Sequence, residues 1–190
     1  MAQAKEELAL FQPSATAHDF LTAEQMDWLI AEHAPLVSEG QLSYGGNDSK
    51  LRRSQIVFLS RQQKYAWLYN RLWAAVQHCN RHFFDVELAG VEPNLQVGRY
   101  DSTDNGFYDW HTDLGVSNPT RKLSISIQLS SSADYDGGDL ELMYGPVSTK
   151  LDKTRGSIII FPSFMLHRVT PVTRGTRWSL VAWVVGRRWR

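Results

Sequence analysis

In the stretch Leu123-Ser-Ile-Ser-Ile-Gln-Leu-Ser130, apolar and polar residues alternate without a break. Successive side chains on a strand point to opposite faces, so Leu123, Ile125, Ile127 and Leu129 share one face and Ser124, Ser126, Gln128 and Ser130 share the other. Two environments give that pattern: a half-buried strand with a solvated face, or a strand whose polar face lines a wet cavity inside a barrel. The run Arg177-Trp-Ser-Leu-Val-Ala-Trp-Val-Val185 bears on the choice. Arg177, Ser179, Val181, Trp183 and Val185 fall on one face, and Trp178, Leu180, Ala182 and Val184 fill the other. A strand apolar on both faces is central and buried. Arg177 at its start must then meet an anion or reach the rim.

Working outward, strand-like runs follow at 94–100, 122–130, 139–143, 157–161, 165–170 and 177–185, with turn signals at 101–106, 134–138, 155–156 and 173–176. Short strands at this spacing predict an all-β barrel or jelly roll. Two helices precede them. Thr22 and Gln25 fit a capping box, Leu21 and Met26 a hydrophobic staple, and Pro35 stops the helix that runs through His33. Tyr65, Leu68, Tyr69, Leu72, Val76, Cys79 and Phe83 form a longer apolar stripe at steps of three and four. These helices need a sheet face to cover. The first ten residues read as a loose lead-in, and the basic end Gly186-Arg-Arg-Trp-Arg190 as a solvated tail. Cys79 reads as a small buried hydrophobe.

The chain has 190 residues, enough for one domain with a sizeable core. Lys+Arg and Asp+Glu both number 20, and a balance of zero argues against nucleic acid as a partner. No apolar run reaches membrane-span length. A single cysteine excludes an internal disulfide and makes a reducing cytoplasm the simplest location.

Six histidines remain to be placed. His111-Thr-Asp113 sets an imidazole and a carboxylate two residues apart, on one face if the backbone is a strand. A His-x-Asp pair alone says little. His167, in a later strand-like stretch, completes two histidines and a carboxylate, the facial triad of non-haem Fe(II) oxygenases. His78 and His82 could form a helical metal pair but lack an obvious third ligand, and His18 and His33 belong to the first helix region. Arg177 follows His167 by ten residues (177 − 167) and is expected to open the next strand of a hairpin, beside the metal. A guanidinium there suits the distal carboxylate of a dicarboxylate chelator. Triad, polar cavity and buried cation converge on 2-oxoglutarate.

The run from Leu123 to Leu140, with Tyr135-Asp-Gly-Gly138, and the run from Gly156 through Phe161-Pro-Ser163 and His167 to Arg177 resemble the Fe(II)/2-oxoglutarate dioxygenases of the prolyl-4-hydroxylase type. More narrowly they resemble the PKHD-type hydroxylases. The resemblance covers roughly residues 90 to 186. It implies a double-stranded β-helix (jelly roll), with residues 91–186 as catalytic core and 1–90 as helical support and loops in a single domain. It implies His111, Asp113 and His167 as iron ligands and Arg177 as the 2-oxoglutarate anchor. Tyr100 matches a tyrosine of the 2-oxoglutarate pocket, and Trp183 a pocket-lining tryptophan. Gln128 stands where some relatives place a tyrosine that touches the same carboxylate, a departure its amide could cover. Gly137-Gly138 reads as a structural turn, and Pro162 as shaping the approach to His167.

The family chemistry implied is decarboxylation of 2-oxoglutarate to succinate and CO2, coupled through Fe(II) and O2 to hydroxylation of a C–H bond, with ascorbate as reductant. The carboxylate of Asp113 favours hydroxylation over halogenation. A prolyl or other residue in a protein or peptide is the leading substrate. A free amino acid, small metabolite or nucleobase is the alternative within the chemistry; a cupin-like metal protein and a non-catalytic jelly-roll module are alternatives outside it. The loops 42–51 and 101–107 are candidate lids, and Arg52, Arg53 and Arg121 candidate contacts for an acidic group or a peptide backbone.

Overall fold

The computed structural model describes residues 13–40 and 48–189. Its strands and helices run β1 (Ala15–Ala17), α1 (Ala23–His33), β2 (Ser38–Glu39), β3 (Arg52–Arg53), β4 (Gln55–Ser60), α2 (Ala66–Cys79), β5 (Gly90–Val91), β6 (Asn94–Asp101), β7 (Phe107–His111) and β8 (Arg121–Gln128). They continue with β9 (Tyr135–Gly137), β10 (Leu140–Met143), β11 (Ser148–Lys150), β12 (Ile158–Pro162), β13 (His167–Val169) and β14 (Val172–Val185). The major sheet has the order β1-β12-β8-β14-β6-β4-β2, with β5 and β9 also paired to β14; the minor sheet is β11-β10-β13-β7-β3. The pairings are antiparallel, and the two facing sheets form the jelly roll.

The alternation in β8 sorts side chains as the sequence leads one to expect. Leu123, Ile125 and Ile127 join Leu180, Ala182 and Val184 of β14 in one core with Leu29 of α1 and Leu68, Leu72 and Val76 of α2. The helices thus cover the outer face of the major sheet. The inner face carries Ser124, Ser126, Ser179 and Arg177, which look into a cavity between the sheets. A second core cluster, including Tyr135, Leu142, Ile159, Phe161 and Val172, fills the rest of that space.

At the start of α1, Thr22 Oγ1 accepts from the Gln25 N–H at 3.3 Å, and Gln25 Oε1 accepts from the Thr22 N–H at 3.1 Å. A cap of this kind stabilises by about 1 kcal/mol. The helix ends at His33, and Pro35 sits in a short 3-10 turn, Ala34–Leu36. The long apolar stripe is not one regular helix. After Cys79 it widens into a π turn, Asn80–Phe84, closed by Asp85 in a left-handed conformation. Cys79 packs half-buried against the core, and burial raises its thiol pKa.

Three expectations change. The segment 173–176 is not a turn but the start of β14, paired with β9 through a bulge between Val172 and Arg174. Gly175 makes this possible: its φ is +68°, and a Cβ there would lie 2.0 Å from the Asp134 carbonyl oxygen. By the same pairing, Tyr135–Gly137 is a strand, although it reads as part of a turn. Finally, β13 and β14 form no hairpin. β13 lies in the minor sheet and β14 in the major one, so His167 and Arg177 reach the interior from opposite walls. The chain end is exposed at Arg187, Arg188 and Trp189, as expected of a solvated tail, although the Trp189 ring also meets Phe164 at 5.6 Å and the Lys122 ammonium at 3.7 Å.

Residues 42–47 of the first proposed lid lie outside the described residues, as do the lead-in 1–10 and Arg190. The second, 101–107, is firmly tied. Asp101 accepts from the Thr103 backbone and hydroxyl (3.0 and 2.8 Å), from Thr176 Oγ1 (2.7 Å) and from Arg99 (2.8 Å). Burial opposes its charge, but these donors outweigh that and hold the carboxyl well below the usual range. A depressed folded pKa contributes stability above the unfolded value near 4, and that stability fades as the pH falls through the folded value. Asp101→Asn should therefore cost about 2 kcal/mol at neutral pH in denaturant melts. The gap between variant and parent should shrink on acidification below about pH 4.

Candidate metal centre

His111 closes β7 and His167 opens β13, and the two are direct cross-strand partners. Their ring centroids lie 4.1 Å apart. Asp113 follows the end of β7, so strand alternation is not what aims it. Instead the Ser163 carbonyl accepts the Asp113 and Leu114 N–H groups at 3.0 and 2.9 Å and folds the chain back. His167 Nε2 then lies 3.5 Å from Asp113 Oδ2. One donor atom from each of His111, Asp113 and His167 falls within 4.8 Å of the others, the one such cluster among the described residues.

Each imidazole is locked in one tautomer. His111 Nδ1 meets the Asp109 carbonyl at 2.7 Å and His167 Nδ1 the Met165 carbonyl at 2.9 Å. A carbonyl only accepts, so both Nδ1 atoms carry hydrogen and both Nε2 lone pairs are free for a cation. Burial, reinforced by the His167 imidazole, holds the His111 pKa well below normal. For Asp113, burial pushes upward but is outweighed by the His167 and His111 imidazoles, the Ser124 hydroxyl and the Trp183 indole, and the carboxyl stays low. Two imidazole Nε2 atoms and one carboxylate thus converge, a donor set that suits a divalent metal.

Ser124, from the polar face of β8, donates to Asp113 Oδ2 at 2.6 Å and lies 3.0 Å from Ser163 Oγ. Tyr108 stacks on His111 with centroids 3.5 Å apart and planes 12° from parallel. Arg52 covers the other side of Tyr108 at 4.6 Å. Sequence reasoning missed Ser124 as a carboxylate holder, and also Tyr108 and Ser163. A polar residue on the inner face of β8 was the available signal for the first; nothing local marks the other two.

The triad opens on a cavity of about 310 Å³ that Tyr100, Arg177, Ser179 and Trp183 also line. Arg177 is 2% exposed. Its Nη1 donates to Ser179 Oγ at 3.2 Å and its Nη2 to Gln128 Oε1 at 3.0 Å. Among the described residues its Nε has no hydrogen-bond partner and no carboxylate pairs with it. A buried cation without an anion is costly, so this wall fits an anionic ligand. Tyr100 lies under the guanidinium at 5.4 Å. Gln128 does not line the cavity; it stands behind Arg177 and orients it.

Of the remaining candidate arginines, Arg121 lines the cavity but is committed to Glu92 through two 2.9 Å bonds. Arg53 lies outside on Ser49 and Asp104 carbonyls. Arg52 does line the cavity. His33 is buried on Tyr65, His18 meets Ser157, and His78 and His82 contact each other on α2 and the π turn.

The family model for the 2OG-Fe(II) oxygenase superfamily matches residues 95–185. A PKHD-type hydroxylase, YbiX, of Shigella flexneri is 31% identical over 185 residues, covering 92% of this chain and 75% of the relative. A Pseudomonas putida prolyl-4-hydroxylase superposes with TM-score 0.73 at 21% identity, covering 92% of this chain and 93% of that one. A Trichoplax adhaerens prolyl hydroxylase, solved with a peptide fragment of the hypoxia inducible factor, gives TM-score 0.77 at 18% identity, covering 92% and 84%. The chain therefore belongs to the 2-oxoglutarate/Fe(II) oxygenase superfamily. It is a dioxygenase whose cofactors are Fe(II), 2-oxoglutarate and O2. The two-nitrogen, one-carboxylate donor set and the anion-seeking wall fit that pair.

Ser124→Ala removes the hydroxyl that steadies Asp113 without changing the fold's apolar core. It should weaken binding of Co(II), a redox-stable stand-in for Fe(II), by about tenfold to a hundredfold. A visible-absorption titration reads this.

Proposed function

We propose that this dioxygenase hydroxylates a C–H bond of a prolyl or other residue in a protein or peptide. In this reading His111, Asp113 and His167 hold Fe(II), and Arg177 holds the distal carboxylate of 2-oxoglutarate. The observation that carries it is one cavity with the triad on one wall and a buried, anion-free Arg177 on the other. The peptide part draws support from the fold neighbour solved with a peptide fragment.

Bound Fe(II), with 2-oxoglutarate and O2, supplies the oxidising power. The protein's own groups do the placing. The Asp109 and Met165 carbonyls keep both Nε2 atoms aimed at the metal position. Ser124 fixes the carboxylate. Ser179 and Gln128 set the guanidinium plane, which leaves its remaining N–H groups for a carboxylate fork. Tyr100 and Trp183 wall the cavity and keep bulk water from it. Residues 91–186 act as catalytic core, with the N-terminal helices as their support in one domain. Ascorbate enters as the reductant that keeps iron ferrous, and the lone cysteine supports a reducing compartment. No helix among the described residues is long and apolar enough to cross a membrane.

The test is 2-oxoglutarate turnover against proline-containing peptides, other peptides, free amino acids and nucleobases, read as succinate release and a mass gain of one oxygen. Oxygenation of peptides is the expected outcome. Oxygenation of free amino acids or nucleobases alone would replace the substrate assignment, and no succinate from any substrate would remove the whole reading. Arg177→Ala should weaken 2-oxoglutarate binding by about a hundredfold or more in calorimetry, with Co(II) affinity nearly unchanged. Gly138→Ala should do the same more mildly. Its φ is +58°, and the added Cβ would come within 2.9 Å of Arg177 Cδ and 3.0 Å of Val172 Cγ2.

A further inference from the structure

At the corner where β8, β14 and the start of β6 meet, a mostly buried ion pair lies beside the metal-binding carboxylate. The Glu92 carboxylate accepts from Arg121 Nε and Nη2, each at 2.9 Å, a bidentate fork. The side chains are 21% and 12% exposed, so this is not a solvated surface pair. The Arg121 guanidinium lies 3.7 Å from the centre of the Trp183 ring. The backbone joins the same residues: the Glu92 N–H donates to the Trp183 carbonyl at 2.8 Å, and Trp183 pairs with Ser124 across the sheet. Trp183 is 7% exposed, and its indole N–H finds no well-aligned acceptor among the described residues. Arg121, Trp183, Ser124 and Asp113 all line the one cavity.

The order of charges is therefore Glu92, Arg121, the Trp183 ring, then Asp113. Arg121 and the carboxylate proposed to receive a divalent cation line the same cavity, and the Trp183 indole, which helps hold that carboxyl low, lies under the guanidinium. A guanidinium free to turn into the cavity would compete with that cation for Asp113, because both seek the same oxygens. Two devices prevent this. The Glu92 fork satisfies two of the guanidinium N–H groups on the far side, and the indole face takes the cation flat. The same clamp keeps the Trp183 ring, and with it the indole N–H, at a fixed place beside Asp113.

We infer that Glu92 is a positioning residue for the metal-binding carboxylate: it holds Arg121 flat against Trp183 and away from Asp113. The inference rests on Asp113 being a metal ligand. Sequence alone does not reveal the pair, because 29 residues separate the partners (121 − 92). Glu92 touches neither metal nor substrate in this scheme and acts only through Arg121 and Trp183.

Co(II) binding to the full chain, followed by visible absorption, tests it with four proteins: the parent, E92Q, the double variant E92Q/R121Q, and D113A. Thermal melts confirm that each is folded. E92Q should bind Co(II) about tenfold more weakly and shift the Co(II) absorption bands. Removing the released cation as well, in E92Q/R121Q, should restore affinity to within about threefold of the parent. A purely structural role for the ion pair predicts the opposite, a double variant as weak as E92Q or weaker, and that result overturns the inference. So does an E92Q protein that binds like the parent. D113A separates the two levels: if it binds Co(II) as tightly as the parent, Asp113 is no ligand and the metal assignment itself fails.

Discussion

A guanidinium shut away from water, with no carboxylate to neutralise it among the described residues, is the constraint on which the rest of the structure turns. Arg177 is 2% exposed and is held by two neutral acceptors, Ser179 and Gln128. Such a charge is tolerated only if the fold provides it a partner from outside. The neighbours are shaped around that need. Gly138 leaves room beside its stem, Tyr100 lies under its plane, and Tyr135 packs in the cluster between the sheets. The polar inner faces of β8 and β14 make sense as the walls of a ligand chamber, and their apolar outer faces as the seat of the two helices.

The triad obeys a similar logic with the sign reversed. Two imidazoles are oriented by backbone carbonyls with their Nε2 atoms toward one point, and a buried carboxylate is steadied by Ser124. Each wall of the chamber is incomplete in charge, one lacking a cation and the other an anion. Superfamily membership names the two missing partners as Fe(II) and 2-oxoglutarate.

Much of this was legible in the sequence, and the failures have physical reasons. The period-2 pattern of β8 and β14 fixes which residues face the chamber, because alternation is a local property of the backbone. The capping box of α1 is likewise local. Where the reading went astray, the deciding contact was distant. Thr173 to Thr176 looks like a turn because glycine and threonine flank an arginine there, yet pairing with β9 draws it into a strand. His167 and Arg177 look like hairpin neighbours, yet the connection crosses from one sheet to the other. The His-x-Asp spacing puts Asp113 near His111, but strand alternation is not the cause: Ser163, fifty residues further on (163 − 113), makes the bend that aims it. The Glu92–Arg121 pair and the Tyr108 stack have no local signal at all.

That crossing between sheets has a consequence for how a cosubstrate is measured. The proposed metal ligands hang from the minor sheet and its adjoining turn, while Arg177 hangs from the major one. In the proposed reading a dicarboxylate gripped at both ends would span the gap between the sheets, and the fold would work as a calliper whose opening is the interlayer spacing. A keto-acid one carbon shorter would leave one jaw empty, and one a carbon longer would have to buckle. On that reading chain-length discrimination would reside in no single pocket residue. It would belong to the interlayer packing, in which Ile159, Phe161 and Val172 share one buried cluster.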